Sequence, residues 1–190
     1  MHITPDGWLQ SPDIKILKSP NFDLRPAGEI ISLLVVHCIS LPPGEFGSGA
    51  VQDLFLNKLD CESEHSHPYF QQELKNKKLS AHVFINRAGE IFQFVSFKHR
   101  AWHAGVSSFK NKDKCNDFSI GIELEGTDDQ VFEPAQYESL IKITQIILKT
   151  YPEISLNNIQ GHEDIAPGRK TDPGKYFDWK LYQKALVAHG

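Results

Sequence analysis

The sequence predicts a single α/β domain in which helices flank a central mixed β-sheet. Its 190 residues are enough for one domain with a substantial core. Several short apolar segments have the length and β-branched composition of strands. Two further segments repeat apolar residues at helical spacing. Strands and helices mixed along one chain commonly pack as helical layers over one sheet.

The first half of the chain predicts one buried strand between irregular segments. Residues 1–28 are punctuated by prolines and predict a segment that wraps the domain surface. Residues 30–37 are almost continuously apolar, which indicates a strand buried on both faces. Residues 41–49 are rich in proline and glycine and predict a loop. We expect one or two short helices within the polar residues 52–79, with a linker around 61–68.

The middle of the chain predicts a hairpin, a long loop and another strand. Segments 83–86 and 91–95 flank a glycine-bearing turn and predict a β-hairpin. Residues 100–117 show no clean period, so we expect a long functional loop. Residues 118–125 alternate and predict a strand with Glu123 and Glu125 on one face. The opposite face should carry Phe118, Ile120, Ile122 and Leu124.

Two helices are predicted in the C-terminal third. Pro134 suits the first position of a helix that ends before Pro152. Residues 178–188 predict a shorter helix, because Trp179, Tyr182 and Leu186 recur at helical spacing. With the hairpin and the two single strands, the expected sheet has four strands.

Composition narrows the possible partners and the compartment. A net charge of −4 gives no reason to expect nucleic-acid binding. We also expect no membrane partner, because no apolar run approaches the roughly 20 residues of a membrane span. Three widely spaced cysteines argue against a disulfide framework. The N-terminal residues do not resemble a secretory signal, so we expect a cytoplasmic protein, and we expect it to be a monomer.

The loop from Gly161 to Gly174 concentrates ionisable side chains between glycine and proline turns. His162 and Asp172 in this loop are of the types that bind zinc, and His37 at the end of the predicted first strand could be a third ligand. Three protein ligands with an open fourth position are typical of a catalytic zinc site. The alternative is that each histidine is an ordinary surface or hydrogen-bonded residue.

Acid–base groups are also present. Either Glu123 or Glu125 could take a proton from a water molecule, and the period-2 pattern does not separate them. Lys170 lies two residues before Asp172 and could stabilise an oxyanion. The alternatives are a pair of solvated carboxylates and a solvated lysine paired with an acidic residue of the loop.

Four further residues near these groups could belong to the same site or have a structural role. Trp102 and His103 lie among small residues and could contact a sugar or an apolar ligand face, although Trp102 could equally be a core residue. His82 could line the same site or cap the sheet. Cys38 is adjacent to His37 on a strand and should face the other way, so we interpret it as a buried thiol.

Six segments, taken together and in order, resemble one enzyme family over nearly the whole chain, from about Gly7 to Trp179. They are residues 34–37, 41–46, 80–82, 100–107, 115–126 and 161–174. The sequence resembles the zinc-dependent 1,6-anhydro-N-acetylmuramyl-L-alanine amidases of bacterial cell-wall recycling. The resemblance implies the fold shared by peptidoglycan recognition proteins and phage amidases.

The resemblance also implies an activity and a set of site residues. The family's zinc ligands fall on His37, His162 and Asp172, its catalytic glutamate on Glu123 and its catalytic lysine on Lys170. Its reaction is hydrolysis of the amide between the lactyl group of N-acetylmuramic acid and L-alanine. Its substrates are small anhydro-muropeptides returned to the cytoplasm.

The resemblance does not assign a role to two further features of the sequence. Lys78 and Lys114 lie near the ends of matched segments and are candidates for binding the peptide carboxylates of a muropeptide. Residues 57–79 are longer and more polar than the family pattern predicts. Three other functions compete: a binding module that does not cleave, a secreted wall-degrading amidase, and a partner protein whose histidines are incidental.

Overall fold

A computed structural model describes residues 1–188. The strands within these residues are β1 His2–Ile3, β2 Leu9–Gln10, β3 Ile14–Ile16, β4 Phe22–Leu24, β5 Leu33–Ile39, β6 Val83–Ile85, β7 Ile91–Gln93, β8 His99–Ala101, β9 Ser108–Phe109, β10 Lys112–Asp113, β11 Ser119–Glu125 and β12 Ile159–Gly161. Six of them form the central sheet, in the order β12-β5-β11-β6-β7-β3.

The sheet is mixed, as predicted. Strands β12, β5, β11 and β6 are parallel, β6 and β7 form an antiparallel hairpin, and β3 pairs parallel with β7. The two longest strands, β5 and β11, lie side by side and pair over all seven residues of each. Both are buried along nearly their whole length, which explains why residues 33–36 are all apolar, whereas residues 30–32 of the predicted strand precede β5 and Ile30 is exposed.

Four α-helices accompany the sheet: α1 Ala50–Phe55, α2 Pro134–Thr150, α3 His162–Ile165 and α4 Trp179–Val187. Helix α2 begins with Pro134, and Glu133 and Gln136 form a reciprocal capping box before it. Helix α4 is capped by Asp178, whose carboxylate accepts the Leu181 N–H at 2.8 Å. Shorter turns occupy Phe70–Leu74, Cys115–Asp117 and Leu156–Asn158.

The core lies on both faces of the sheet. One face of β5 and β11, including Val36, Ile120 and Ile122, packs beneath α2 and α4. The buried hydroxyls of Thr144 and Tyr182 join these two helices at 2.6 Å. The opposite face carries apolar residues at the N-terminal ends of the strands and polar side chains towards their C-terminal ends. The C-terminal ends of the strands therefore carry the polar side chains that are available for chemistry.

The α/β class, the hairpin and both C-terminal helices are confirmed, whereas three details of the prediction are wrong. The sheet has six strands rather than four, because β3 and β12 add three residues each at its edges. Phe118 precedes β11 and packs with Leu33 and Val35, on the face opposite to Ile120. Residues 100–117 are not one long loop, because they include the end of β8, strands β9 and β10 and a turn.

The N-terminal segment contributes to the sheets. Within residues 1–28, β3 forms an edge of the main sheet and β4 pairs with β8. Arg25 then ties this segment to the centre, because its guanidinium donates to the backbone carbonyls of Phe97, Asp117 and Ser119. Among residues 1–188, no helix combines the length and the apolar character needed to cross a membrane.

Candidate active site

A cavity of about 520 Å³ opens where β5 and β11 end. Ligands commonly bind at the carboxyl ends of parallel strands, because loops diverge there and leave a crevice. Its walls include Trp102, Glu123, His162, Lys170 and Asp172. These residues come from three separate segments of the sequence, and the fold brings them together at the C-terminal ends of the central strands.

A potential metal centre forms part of this cavity. His37 is near the end of β5, and His162 begins α3 directly after β12, the strand that neighbours β5. The Nδ1 atoms of His37 and His162 are 3.0 Å apart, and each is 3.1 Å from Asp172 Oδ2. The loop between His162 and Asp172 is closed by the Glu163 N–H, which donates to the Asp172 carbonyl at 2.9 Å. The three potential ligand atoms therefore face a single point.

The donor set of this centre fits a zinc ion. The other ring nitrogen of His162, Nε2, lies 3.0 Å from the carbonyl oxygen of Ala104 and can only donate to it. In the neutral form that a metal ligand requires, this leaves Nδ1 of His162 without a proton, facing a second imidazole nitrogen and a carboxylate. Two imidazole nitrogens and one carboxylate oxygen are a catalytic zinc ligand set with a position left open.

Electrostatics favour the charge states that metal binding requires. Burial lowers the pKa of His37 to about 4, so this imidazole is neutral at pH 7. Burial alone would raise the pKa of Asp172, but its hydrogen bonds with His162 and His37 outweigh that effect and lower it. Asp172 is therefore an anion beside the neutral imidazole of His37, and these are the forms in which both groups bind a metal.

The structure separates the two glutamates that the strand pattern left equivalent. Glu125 Oε1 accepts the Gly47 N–H at 2.6 Å, and its Oε2 accepts the Arg87 N–H at 3.0 Å. Glu123 is equally buried, but its Oε2 has no hydrogen-bond partner within residues 1–188. Burial, and secondarily the charge of Asp172, raises the pKa of Glu123 well above its usual value. Glu123 is thus available for proton transfer, whereas Glu125 holds two loops in place.

Neither glutamate is a solvated edge residue, as one alternative had assumed. The alternative for Lys170 was an ion pair with an acidic residue of the loop. Within the described part of the chain, Lys170 forms no ion pair with Glu163 or Asp164. Asp164 instead accepts the Gly161 N–H at 2.8 Å and closes the start of α3. Lys170 lines the cavity beside Asp172.

The remaining candidates lie at different distances from the centre. Trp102 lines the cavity, and its backbone N–H donates to Ser80 Oγ at 3.1 Å. His103 also lines the cavity, but its two ring nitrogens face His37 and Ser119 and are engaged inside the protein. Lys78 lines an adjoining cavity that shares Lys77 with the first. Lys114 lines a third cavity and is not brought to the central one.

Two other expected features have defined places. His82 is fully buried, and its Nδ1 accepts the Gly121 N–H at 3.0 Å, so it stabilises the sheet and does not line the cavity. Cys38 is half-buried at the cavity wall, and burial raises the pKa of its thiol. The potential metal ligands comprise His37, His162 and Asp172 without Cys38.

Sequence reasoning missed three cavity residues. Tyr69 and Lys77 belong to the polar segment 57–79, in which no pattern distinguished them from solvated residues. Arg169 lies within the loop that holds two potential ligands, and that position was the available signal. Its guanidinium donates to the Ala104 carbonyl at 2.7 Å and reaches the cavity wall.

Comparison with known proteins agrees with this geometry. The family model described as N-acetylmuramoyl-L-alanine amidase matches residues 27–175. A 1,6-anhydro-N-acetylmuramyl-L-alanine amidase AmpD from Haemophilus influenzae is 54% identical over 174 residues, covering 92% of each chain. A crystal structure of a selenomethionine AmpD derivative superposes with a TM-score of 0.91 at 48% identity, covering 98% of this chain and 99% of the other.

A more distant solved structure includes a ligand. The amidase AmiD from Escherichia coli, in complex with the substrate anhydro-N-acetylmuramic acid-L-Ala-D-γ-Glu-L-Lys, matches with a TM-score of 0.62 at 29% identity. The match covers 85% of this chain and 60% of that one. Taken with the family match over most of the chain, these relatives establish that the protein is an amide hydrolase of the N-acetylmuramoyl-L-alanine amidase family and that it resembles the AmpD members of that family.

Proposed function

We propose that this chain is a zinc-dependent amidase of cytoplasmic peptidoglycan recycling. Its reaction would be hydrolysis of the amide between the lactyl group of 1,6-anhydro-N-acetylmuramic acid and L-alanine in small muropeptides. The AmpD relatives are named for this activity, and their similarity extends over almost the whole chain. The free thiols of Cys38, Cys61 and Cys115 are compatible with a reducing compartment.

The convergence of His37 Nδ1, His162 Nδ1 and Asp172 Oδ2 within 3.1 Å of one another carries the zinc part of this proposal. No other group of described histidine, cysteine or acidic side chains meets in this way. When bound by these ligands, zinc would lower the pKa of a water molecule to about 7 and polarise the substrate carbonyl.

The protein side chains then have distinct tasks. Glu123, whose buried Oε2 has no hydrogen-bond partner, would orient the attacking water and take its proton. The water oxygen bonds to the lactyl carbonyl carbon, and the Lys170 ammonium stabilises the negative charge that develops on the carbonyl oxygen. When the carbon–nitrogen bond breaks, the alanine nitrogen takes a proton from Glu123 or Lys170. The products are a muramyl carboxylic acid and a peptide with a free amine.

Substrate recognition is assigned to the cavity walls. Trp102 offers an aromatic face for a sugar ring. Lys78, together with Lys77 in the adjoining cavity, offers positive charge to the carboxylates of the peptide stem. Lys114 would require the peptide to extend into the cavity next to Arg169. We expect the monomer to be active, since each ligand and acid–base group named here comes from one chain.

Metal analysis combined with an amidase assay tests the proposal. The purified protein should contain one zinc ion and release tripeptide from 1,6-anhydro-N-acetylmuramyl-tripeptide. Chelation should abolish this activity, and added zinc should restore it. His37→Ala and Asp172→Ala should lose both metal and activity, whereas the exposed control His65→Ala should lose neither. Zinc binding without cleavage of this substrate or of intact wall would instead favour a binding module.

A further inference from the structure

We propose that His103 is a positioning residue for the metal centre. In this role it accepts the N–H of His37 and so holds the other nitrogen of His37 towards the metal. The inference rests on the zinc-dependent function proposed above. It assigns His103, which also lines the cavity, a role in supporting His37, whereas the sequence suggested contact with the substrate.

The contacts form an unbroken chain from the metal centre into the sheet. His37 Nε2 lies 2.9 Å from His103 Nδ1, and His103 Nε2 lies 3.1 Å from Ser119 Oγ. The two imidazole rings meet edge to face, with centroids 5.0 Å apart and planes at 81°. Ser119 is fully buried and His103 is 9% exposed, so solvent does not compete strongly for these bonds.

Metal binding determines which ring nitrogen carries the proton in His37 and in His103. His37 Nδ1 faces the potential metal position and must then be unprotonated, which leaves its proton on Nε2. The Nε2–H of His37 therefore donates to His103 Nδ1, which has to be an acceptor. The proton of His103 is then on Nε2 and is donated to Ser119 Oγ. Both hydrogen bonds then pair one donor with one acceptor.

The surrounding chain fixes the position of His103. A β-carbon at residue 121 would lie 2.5 Å from the Cγ and Nδ1 atoms of His103, so the glycine leaves room for the ring. The backbone N–H groups of His103 and Ala104 both donate to Asn116 Oδ1, at 3.2 and 2.8 Å. A site that is shaped on several sides around one ring is typical of a preorganised support for a ligand.

The chemistry of the acceptor has a consequence for the metal. Histidine ligands commonly donate their second N–H to a carboxylate or a backbone carbonyl, and His162 uses the carbonyl of Ala104. His37 uses a neutral imidazole instead. A carboxylate acceptor would increase the electron density on His37. With two neutral acceptors, Asp172 would be the only ligand to contribute negative charge, and a zinc ion held by these residues would keep more of its electrophilic character.

Two substitutions at His103 separate hydrogen bonding from packing. Asparagine retains an acceptor oxygen near the position of Nδ1 but fills less space, whereas leucine fills the space and has no acceptor. We expect zinc affinity, measured by competition with a chromophoric chelator, to fall about 10- to 100-fold in His103→Leu. His103→Asn should bind zinc more tightly than His103→Leu. A role in packing alone would give the opposite order.

His82→Gln is the matched control, because it alters a second buried histidine that meets the His103 ring edge to face and forms no hydrogen bond with a potential metal ligand. It should reduce thermal stability while changing zinc affinity by less than His103→Leu. Equal loss of zinc affinity in both variants would overturn the proposed role. Visible spectra of the cobalt-substituted proteins should change for His103→Leu and not for His82→Gln.

A measurement on the unaltered protein does not depend on the folding of any variant. Long-range proton–nitrogen NMR spectra of the zinc-loaded, ¹⁵N-histidine-labelled protein should show His103 protonated on Nε2 and unprotonated on Nδ1. A proton on Nδ1 would overturn the inference. If the unaltered protein binds zinc and a folded His103→Leu variant binds it equally well, the role proposed for His103 is wrong, and the proposed zinc-dependent function is unaffected. If the unaltered protein binds no zinc, the proposed function fails with it.

Discussion

His37 and Glu123 are register partners on the adjacent parallel strands β5 and β11. Their side chains therefore leave the same face of the sheet at the same height, one towards the potential metal position and one into the cavity. A register slip of one residue would place Leu124 beside His37 and turn the carboxylate to the opposite face. The pairing of these two strands thus sets the basic geometry of the candidate active site.

Glu123→Gln tests the role of the unpaired carboxylate. Because the amide cannot take a proton, we expect kcat to fall by about 10²- to 10⁴-fold while one zinc ion is retained. The zinc-free variant should be at least as stable as the unaltered protein, since a buried carboxylate without a full set of partners is removed. Steady-state kinetics and urea denaturation measure the two effects. Activity within a few-fold of the unaltered enzyme would exclude Glu123 as the base.

Glu125→Gln is the matched substitution two residues along the same strand. Here each carboxylate oxygen accepts a backbone N–H, from Gly47 and Arg87. The new NH₂ group cannot accept a hydrogen bond, so one of these two N–H groups loses its acceptor, which should cost about 0.5–1.5 kcal/mol of unfolding free energy. Urea denaturation measures this loss, and metal analysis should still find zinc. An unchanged unfolding free energy would contradict the structural role of Glu125.

Gly121→Ala tests whether the ring of His103 requires a glycine behind it. The added methyl group would overlap the imidazole, and overpacking of this kind costs about 1–3 kcal/mol. Replacing the ring in His103→Ala/Gly121→Ala should relieve the overlap. The double variant should therefore be more stable than the sum of the two single effects, by about 0.5–3 kcal/mol. Chemical denaturation of all four proteins completes the cycle, and additive effects would argue against the contact.

Acid should weaken the attachment of the N-terminal segment through Asp23. A hydrogen bond from Arg100, 2.6 Å from Nε to Asp23 Oδ1, lowers the pKa of Asp23. The folded pKa lies below the unfolded value, so this stabilisation is present above pH ~4 and is lost as the pH falls through the folded pKa. Arg100→Gln should show a smaller loss of stability below pH ~4. Parallel pH dependences in the two proteins would contradict this assignment.

Much of the architecture follows from local patterns in the sequence. The long apolar run that overlaps β5, the alternation in β11 and the helical spacing of α2 each extend over at least seven residues. Segments of this length repeat their pattern enough times to distinguish a strand from a helix. The edge strands β3 and β12 have three residues each and carry too little pattern to be recognised. They exist because a neighbouring strand offers unpaired backbone groups.

Local patterns were enough to predict the fold class, the glycine- and proline-bounded loop with His162, Lys170 and Asp172, and the strand face shared by Glu123 and Glu125. They were not enough to predict which glutamate is free, because the donors to Glu125 come from Gly47 and Arg87, far away in the chain. Nor were they enough to place His103 beside His37. Side-chain periodicity fixes the face on which a residue lies, but its hydrogen-bond partners depend on which distant segments pack against that face.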